Sequence, residues 1–272
     1  MSLQPNFEIV VAHYNEDLSW LKDEVDACSI YSKGGDKNVP QYPHHKLPNI
    51  GREGHTYLYH IIKRYDTLAD VTIFLQGRID DHINISLGEI IERSLKTKDG
   101  EVTTFPFREL ERFDNWDGIP WEEYPCWKKW SSMPCVRAAK TPAQYWQQFF
   151  PGAKVPASVG YPPGALFAVR KSTIQQYPRS FYQTLQGEFF LGKMTHVNPE
   201  TGHFMERFWL AIWNPSEYVC WQDGDAAKEK RNRHGQLARG RWHVVPKFVE
   251  IDERTLPPTV TQLTTPPLSD ED

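Results

Sequence analysis

Over its first 190 residues the chain alternates short, mainly apolar runs with longer stretches in which apolar residues recur every three or four positions. Glu8–Ala12 (EIVVA) is a β-branched run of the kind that forms a strand covered on both faces, and it empties into the polar cluster His13-Tyr14-Asn15-Glu16-Asp17. Asn15 or Asp17 is placed to cap a short helix through Ser19-Trp20-Leu21. Ala27–Tyr31 reads as a second strand closed by the turn Ser32-Lys33-Gly34-Gly35, and Asp36–Pro48 as a Pro- and His-rich loop. Leu58, Ile61, Ile62, Tyr65 and Leu68 fall on one helical face and predict a helix over Arg52–Leu68. Asp70–Leu75 (DVTIFL) predicts a strand ending at Gln76-Gly77, and Asn84–Leu95 an amphipathic helix.

The stretch from Phe105 to Phe150 carries Trp116, Trp121, Trp127 and Trp130 among prolines; it reads as irregular, packed substructure with one helix near Pro142–Phe150. Gly164–Val169 is a further strand, Ser172–Leu185 a helix capped by Ser172, and Met205–Trp213 a short aromatic helix. This alternation predicts an α/β fold: a mostly parallel sheet with helices on both faces, in a single domain over residues 1–222. After Trp221 the character changes. Lys228, Lys230, Arg231, Arg233, Arg239 and Arg241 make a basic segment, followed by prolines at 257, 258, 266 and 267. Residues 223–272 are therefore expected to be an extension that wraps the surface or is mobile.

Composition changes this picture in few places. With 39% hydrophobic and 24% charged residues in 272, the chain has the make-up of a soluble globular protein with a full-sized core. Aromatics at 13%, with ten tryptophans, exceed what is usual; they are expected to fill the core and line a pocket. A formal charge of -4 gives no basic field for nucleic acid. Cys28, Cys126, Cys135 and Cys220 lack metal-type spacing and read as reduced thiols, with a Cys126–Cys135 bridge as the alternative. No run approaches the roughly 20 apolar residues of a membrane span, and the first residues do not resemble a signal peptide. The expected location is the cytoplasm and the expected partner a small-molecule substrate; the pattern is silent on oligomeric state.

Ligands of open α/β sheets bind beyond the carboxyl ends of the strands, and three polar clusters fall at or near such places. After the first strand, His13, Tyr14, Asn15 and Glu16 either hold a ligand or cap a helix. After DVTIFL, Asp80 and Asp81 beside His82 could hold a divalent cation or could cap the next helix, with Arg78 nearby. Gln76, an amide at the end of a buried strand, needs a partner that a ligand would supply. At the start of the first long helix, Arg52, His55 and Tyr59 are spaced i, i+3, i+7, opposite the apolar stripe, and suit a phosphate or a solvated face. His55 and His60 are five apart, the wrong spacing for a helical zinc site. Tyr161-Pro162-Pro163-Gly164-Ala165 brings backbone close to a helix or a ligand. Glu206, in aromatic surroundings beside Arg207, is expected to have a raised pKa and act as general base, or else to brace its helix through an ion pair. No nucleophile elbow, P-loop or GxGxxG is present, which argues against a Ser hydrolase, a P-loop enzyme and a dinucleotide enzyme.

Taken together, VVAHYNEDLSWL (Val10–Leu21), IYSKG (Ile30–Gly34), NIGREGHTYLYHII (Asn49–Ile62), DVTIFLQG (Asp70–Gly77), PGALFAV (Pro163–Val169) and GHFMERFW (Gly202–Trp209) resemble a fungal and plant family catalogued as domain-of-unknown-function family 3431. The resemblance is colinear over roughly residues 7–215. It implies a Rossmann-related fold similar to the GT-A nucleotide-sugar glycosyltransferases. Tyr14, Asn15 and Glu16 would then lie at the nucleotide position, Gln76, Asp80, Asp81 and His82 at the diphosphate position, and Glu206 at the base position. Such enzymes carry Asp-x-Asp where this chain has Gln76-Gly77-Arg78-Ile79-Asp80-Asp81-His82.

Two enzymatic readings follow. One is transfer of a sugar from a nucleotide sugar to a small-molecule hydroxyl, with Mn²⁺ or Mg²⁺ at Asp80 and Asp81. The other is a metal-independent cyclase or isomerase of specialised metabolism, with His13, His55 and His82 as acid/base groups and no cofactor. A non-catalytic small-molecule binding protein is the third possibility.

Overall fold

The computed structural model describes residues 6–35, 38–105, 110–123 and 134–221. The expected extension at 223–272, Cys126, Trp127 and Trp130 lie outside them.

Six strands form the main sheet: β1 (Phe7–His13), β2 (Cys28–Ser32), β3 (His45–Lys46), β4 (Val71–Gln76), β5 (Val102–Thr104) and β8 (Phe167–Arg170), in the order β3-β2-β1-β4-β8-β5. β1 pairs parallel with β2 and β4, and β2 with β3, whereas β8 is antiparallel to both β4 and β5. Only β8 therefore runs against the rest, and the sheet is mostly parallel as the pattern predicts. Its central strands are mostly apolar, with runs such as Ile9–Val11 and Ile73–Leu75, because both faces are covered. Val10, Phe74, Phe167 and Val169 face one side and join a core with Tyr57, Leu58 and Ile61 of helix α1 (Arg52–Arg64). Ile9, Val11, Ile73 and Leu75 face the other and meet Ile90 and Ile91 of helix α2 (Leu87–Leu95).

A second, antiparallel sheet of three strands, β6 (Glu111–Phe113), β7 (Ser158–Tyr161) and β9 (Val219–Cys220), runs in the order β6-β7-β9. Phe113, Val159 and Val219 belong to the same core as Val10 and Phe74, so one core serves both sheets. Between the sheets lies a helix of fourteen residues, Glu200–Trp213, of which all but Glu206 are buried. Its Trp209 and Trp213 rings meet Phe167 of the main sheet at 5.9 and 5.4 Å, and its Phe208 meets Phe113 of the small sheet at 5.9 Å. The remaining helices are α3 (Pro142–Phe149), α4 (Lys171–Ile174), α5 (Arg179–Gly187) and α7 (Pro215–Tyr218), with Glu200–Trp213 as α6.

Several elements differ from the expectations. Thr141 caps α3 with a reciprocal Thr141–Gln144 box, so the helix near 142–150 has a stronger start than its apolar spacing alone shows. The helix expected over Ser172–Leu185 is two helices, α4 and α5, because Pro178 has no N–H to continue the first and starts the second. Ser172 caps neither: its hydroxyl donates to Asp99. The strand expected over Gly164–Val169 begins only at Phe167, since Gly164 (φ +87°) and Ala165 (φ +52°) turn the chain between β7 and β8. Helix α1 ends at Arg64 rather than Leu68, with a turn to Thr67. Asp17, not Asn15, receives the Ser19 N–H at 2.9 Å and so holds the turn through Ser19–Leu21. The aromatic helix begins at Glu200, earlier than its apolar residues suggest.

Candidate functional site

The chain leaves β1 toward β2 and β3, then returns to β4 on the opposite side of β1. Where sheet order reverses in this way, the loops leaving neighbouring strands diverge and open a crevice at their carboxyl ends. Here those ends are His13 and Gln76. Hydrogen bonds draw further segments to the same place. The Gln76 side-chain amide donates to Gly164 O (2.7 Å), and Gly164 N donates to Glu206 Oε1 (2.8 Å). The Lys33 N–H beyond β2 donates to His13 O at 2.9 Å.

At the end of β1 the side chains divide into two kinds. His13 is buried, with Nδ1 3.0 Å from Ser32 Oγ and Nε2 3.2 Å from Glu16 O. A carbonyl can only accept, so Nε2 carries the proton and the neutral ring accepts from Ser32. Burial lowers the pKa of His13, against the attraction of Glu16. The Glu16 carboxylate folds back to accept from Tyr14 N (2.7 Å) and Asn15 N (3.1 Å), and it lies over Gly77, where a Cβ would come within 2.5 Å of it. His13 and Glu16 therefore shape the loop, while the Tyr14 and Asn15 side chains stand exposed on the rim.

Beyond β4, the amide nitrogen of Gln76 has a protein partner in Gly164, in place of the ligand expected for it. A Cβ on Gly164 would lie 2.8 Å from the His82 ring, so the absence of a side chain there seats His82 against the turn. His82 is half-buried, 3.8 Å from Asp81. Asp80 and Asp81 are exposed, and Asp80 accepts from Arg78 Nε at 2.8 Å. Among the described residues no three His, Cys, Asp or Glu side chains group to hold a metal ion. A Mn²⁺ or Mg²⁺ ion at Asp80 and Asp81 would complete its shell from phosphate oxygens and water.

The densest charge lies where α1 meets α6. Gly51, Gly54 and Gly202 let the two helix starts approach: a Cβ on Gly202 would be 3.4 Å from Gly51 O, and one on Gly54 would be 3.4 Å from Met205 Cβ. Gly51 and Arg52 both have positive φ, +66° and +50°. The buried Lys33 amine steadies this turn by donating to Ile50 O (2.7 Å) and to Arg52 O. The turn directs Arg52 outward, 41% exposed, and Glu53 inward, 8% exposed, with Arg52 Nε 3.6 Å from Glu53 Oε2.

Across from them Arg207 lies among the rings of Tyr161, Phe113 and Trp121, 4.9 to 5.7 Å from their centres. Its Nη1 donates to His203 O (3.0 Å) and to Glu206 Oε2 (3.3 Å). Burial pushes the Glu206 carboxyl up, but His203, Arg207 and the Gly164 N–H outweigh it and hold it down at about 2. The raised pKa expected for Glu206 is thus reversed, and the alternative, an ion pair with Arg207, is what forms; of the groups that donate to it, Arg207 and Gly164, only the Gly164 N–H is remote in sequence. Glu53 goes the other way: burial, the largest influence, and the nearby Glu206 raise it against Arg52 and Lys33. Burial also lowers Lys33 to about 7 and His203 to about 4.

Arg52, His55 and Tyr59 do not form one polar face. His55 is buried against Phe189 and Phe190 and burial pushes it down to about 3, while Tyr59 packs against Tyr31 at 5.6 Å. His60 sits apart, its Nδ1 3.0 Å from the Tyr31 hydroxyl. The site's unforeseen members are Lys33, Glu53 and His203. Each stands in a motif singled out from the sequence, but nothing local marks a Lys, Glu or His as buried; only the strand-end and glycine contacts do.

A family model described as "Protein of unknown function (DUF3431)" matches residues 9–229, most of the chain. No curated protein and no solved structure matches it.

Proposed function

The chain belongs to that family, and we propose that it is an enzyme that transfers a sugar from a nucleotide sugar to a small-molecule hydroxyl in the crevice between β1 and β4. The observation that carries this reading is the reversal of strand order at β1 and β4 with Arg52, Arg78 and Glu206 at the segments gathered there. The same strand order is what supports a relation to the GT-A fold. Tyr14 and Asn15 line the nucleotide end of the crevice. Arg52 and Arg78 answer the charge that builds on the departing diphosphate. A divalent ion, where one is used, would supply the same charge stabilisation from Asp80 and Asp81. Glu206, held as a carboxylate, orients the acceptor hydroxyl by accepting its hydrogen bond; at a pKa of about 2 it is a feeble base near neutral pH.

Thermal unfolding against a panel of nucleoside diphosphates, with and without Mn²⁺, tests this. One nucleotide is expected to raise the midpoint, equivalent to about 2.7 kcal/mol at roughly 100-fold excess over its dissociation constant. Arg52→Ala should remove most of that gain. A flat response across the panel would sink the transferase reading.

A second reading has its own support. Two carboxyl groups in one cleft, one pushed up and one held down, form an acid/base pair suited to a cyclase or isomerase of a small metabolite. That enzyme would ignore the nucleotide panel, and its turnover would survive EDTA. A non-catalytic binding protein would take up its ligand without turnover.

A further inference from the structure

We infer that Glu53, not Glu206, holds the mobile proton of this cleft. The geometry separates the two carboxyl groups. Both oxygens of Glu206 are engaged, Oε1 by Gly164 N at 2.8 Å and Oε2 by Arg207 Nη1 at 3.3 Å, with His203 Nδ1 3.9 Å away. A carboxylate so placed is stabilised as the anion by charge-assisted bonds and has little use for a proton, while a free lone pair on it still serves the acceptor hydroxyl. Glu53 is placed differently. It lies on the first turn of α1, where its one ion-pair contact among the described residues is Arg52 Nε at 3.6 Å and the other donor beside it is the N–H of its own residue.

The groups that face Glu53 come from three elements. Lys33 acts on it from beyond β2, Arg52 and Tyr57 from α1, and the charge of Glu206 from α6, where His203 and Arg207 stand against Glu206. The Lys33 amine is spent on the carbonyls of Ile50 and Arg52 and is itself pushed down to about 7 by burial, so it shields Glu53 weakly near neutral pH. Two carboxyl groups sharing one buried site do not both ionise readily. With Glu206 fixed as the anion, the proton falls to Glu53, and the pair titrates as a unit.

This deepens the catalytic reading of the cleft and rests on it for its use. In sugar transfer, the acceptor O–H bond breaks as its oxygen bonds the anomeric carbon and the bond to the diphosphate breaks. Glu53 gives its proton to the departing oxygen and takes the acceptor's, so the diphosphate leaves one proton richer. In an isomerisation, Glu53 protonates one atom of the substrate and recovers a proton from another, with no net change.

The test is nuclear magnetic resonance titration of the full chain labelled at glutamate side-chain carboxyl carbons, as wild type, Glu53→Gln and Glu206→Gln. The wild type should show one carboxyl whose midpoint lies above the ordinary glutamate range. That signal should vanish in Glu53→Gln and move down in Glu206→Gln, where the fixed negative charge is gone. A wild-type spectrum without such a signal overturns the inference even where a variant fails to fold. If no wild-type carboxyl titrates high, or if the high signal survives in Glu53→Gln, the inference is wrong. A flat nucleotide panel beside a high-titrating Glu53 would instead overturn sugar transfer and leave the proton on Glu53.

Discussion

Glu206 is the one residue of its helix that is not fully buried, yet it is ionised more firmly than an exposed glutamate. The reason is what is turned toward it: His203, Arg207, confined among three aromatic rings, and Gly164 N, which a glycine turn at φ +87° brings round. Linkage turns this into a stability prediction. The carboxyl is lowered from 4.5 to about 2, so its contribution is complete above the unfolded value and is lost as pH falls toward 2. At about 1.4 kcal/mol per pH unit this amounts to roughly 3 kcal/mol. Glu206→Gln should therefore be less stable than wild type near neutral pH by about that much, and the gap should close between about pH 4.5 and 2. Urea unfolding across that range reads it; a gap independent of pH would deny Glu206 its low pKa.

At the scale of elements, the contact between α1 and α6 decides which charges meet. Three small residues, Gly51, Gly54 and Gly202, bring the helix starts together, with the Phe189 ring closing one side. A Cβ at Gly54 would already sit 3.3 Å from Phe189 Cζ and 3.4 Å from Met205 Cβ. Valine there, with two further methyl groups, should force the helices apart at a cost of about 1–3 kcal/mol. Denaturant unfolding of Gly54→Val measures the cost. The same variant should bring the Glu53 carboxyl back toward its ordinary range, because distance from Glu206 removes part of what raises it. A full loss of stability with Glu53 still titrating high would place the cause within α1 alone.

For the whole molecule, the switch between β1 and β4 predicts that one ligand reports on four distant stretches at once. A nucleoside diphosphate that raises the unfolding midpoint should slow amide exchange in 13–16, 50–54, 76–82 and 161–165 together, and protection confined to one stretch would rule out a site at the switch. Among the described residues no helix is long and apolar enough to cross a membrane. By itself the sequence determined the elements whose signal is local. Ile9–Val11 are apolar throughout, and Val71–Leu75 apolar but for the buried Thr72, because they are covered on both faces, and Leu58 and Ile61 keep helical spacing because α1 buries one stripe. It also marked the polar strand ends around which the site is proposed, with Gln76 at one of them and His82 just beyond it. Only the tertiary structure decided the β6-β7-β9 sheet, whose strands of two to four residues are too short for a period to show. It likewise decided the charge states of Lys33, Glu53, His203 and Glu206, because a pKa depends on burial and on charges a few ångströms away. For Glu53 those charges stand on Lys33 and Glu206, brought in by β2 and α6, and no spacing along the chain records that distance.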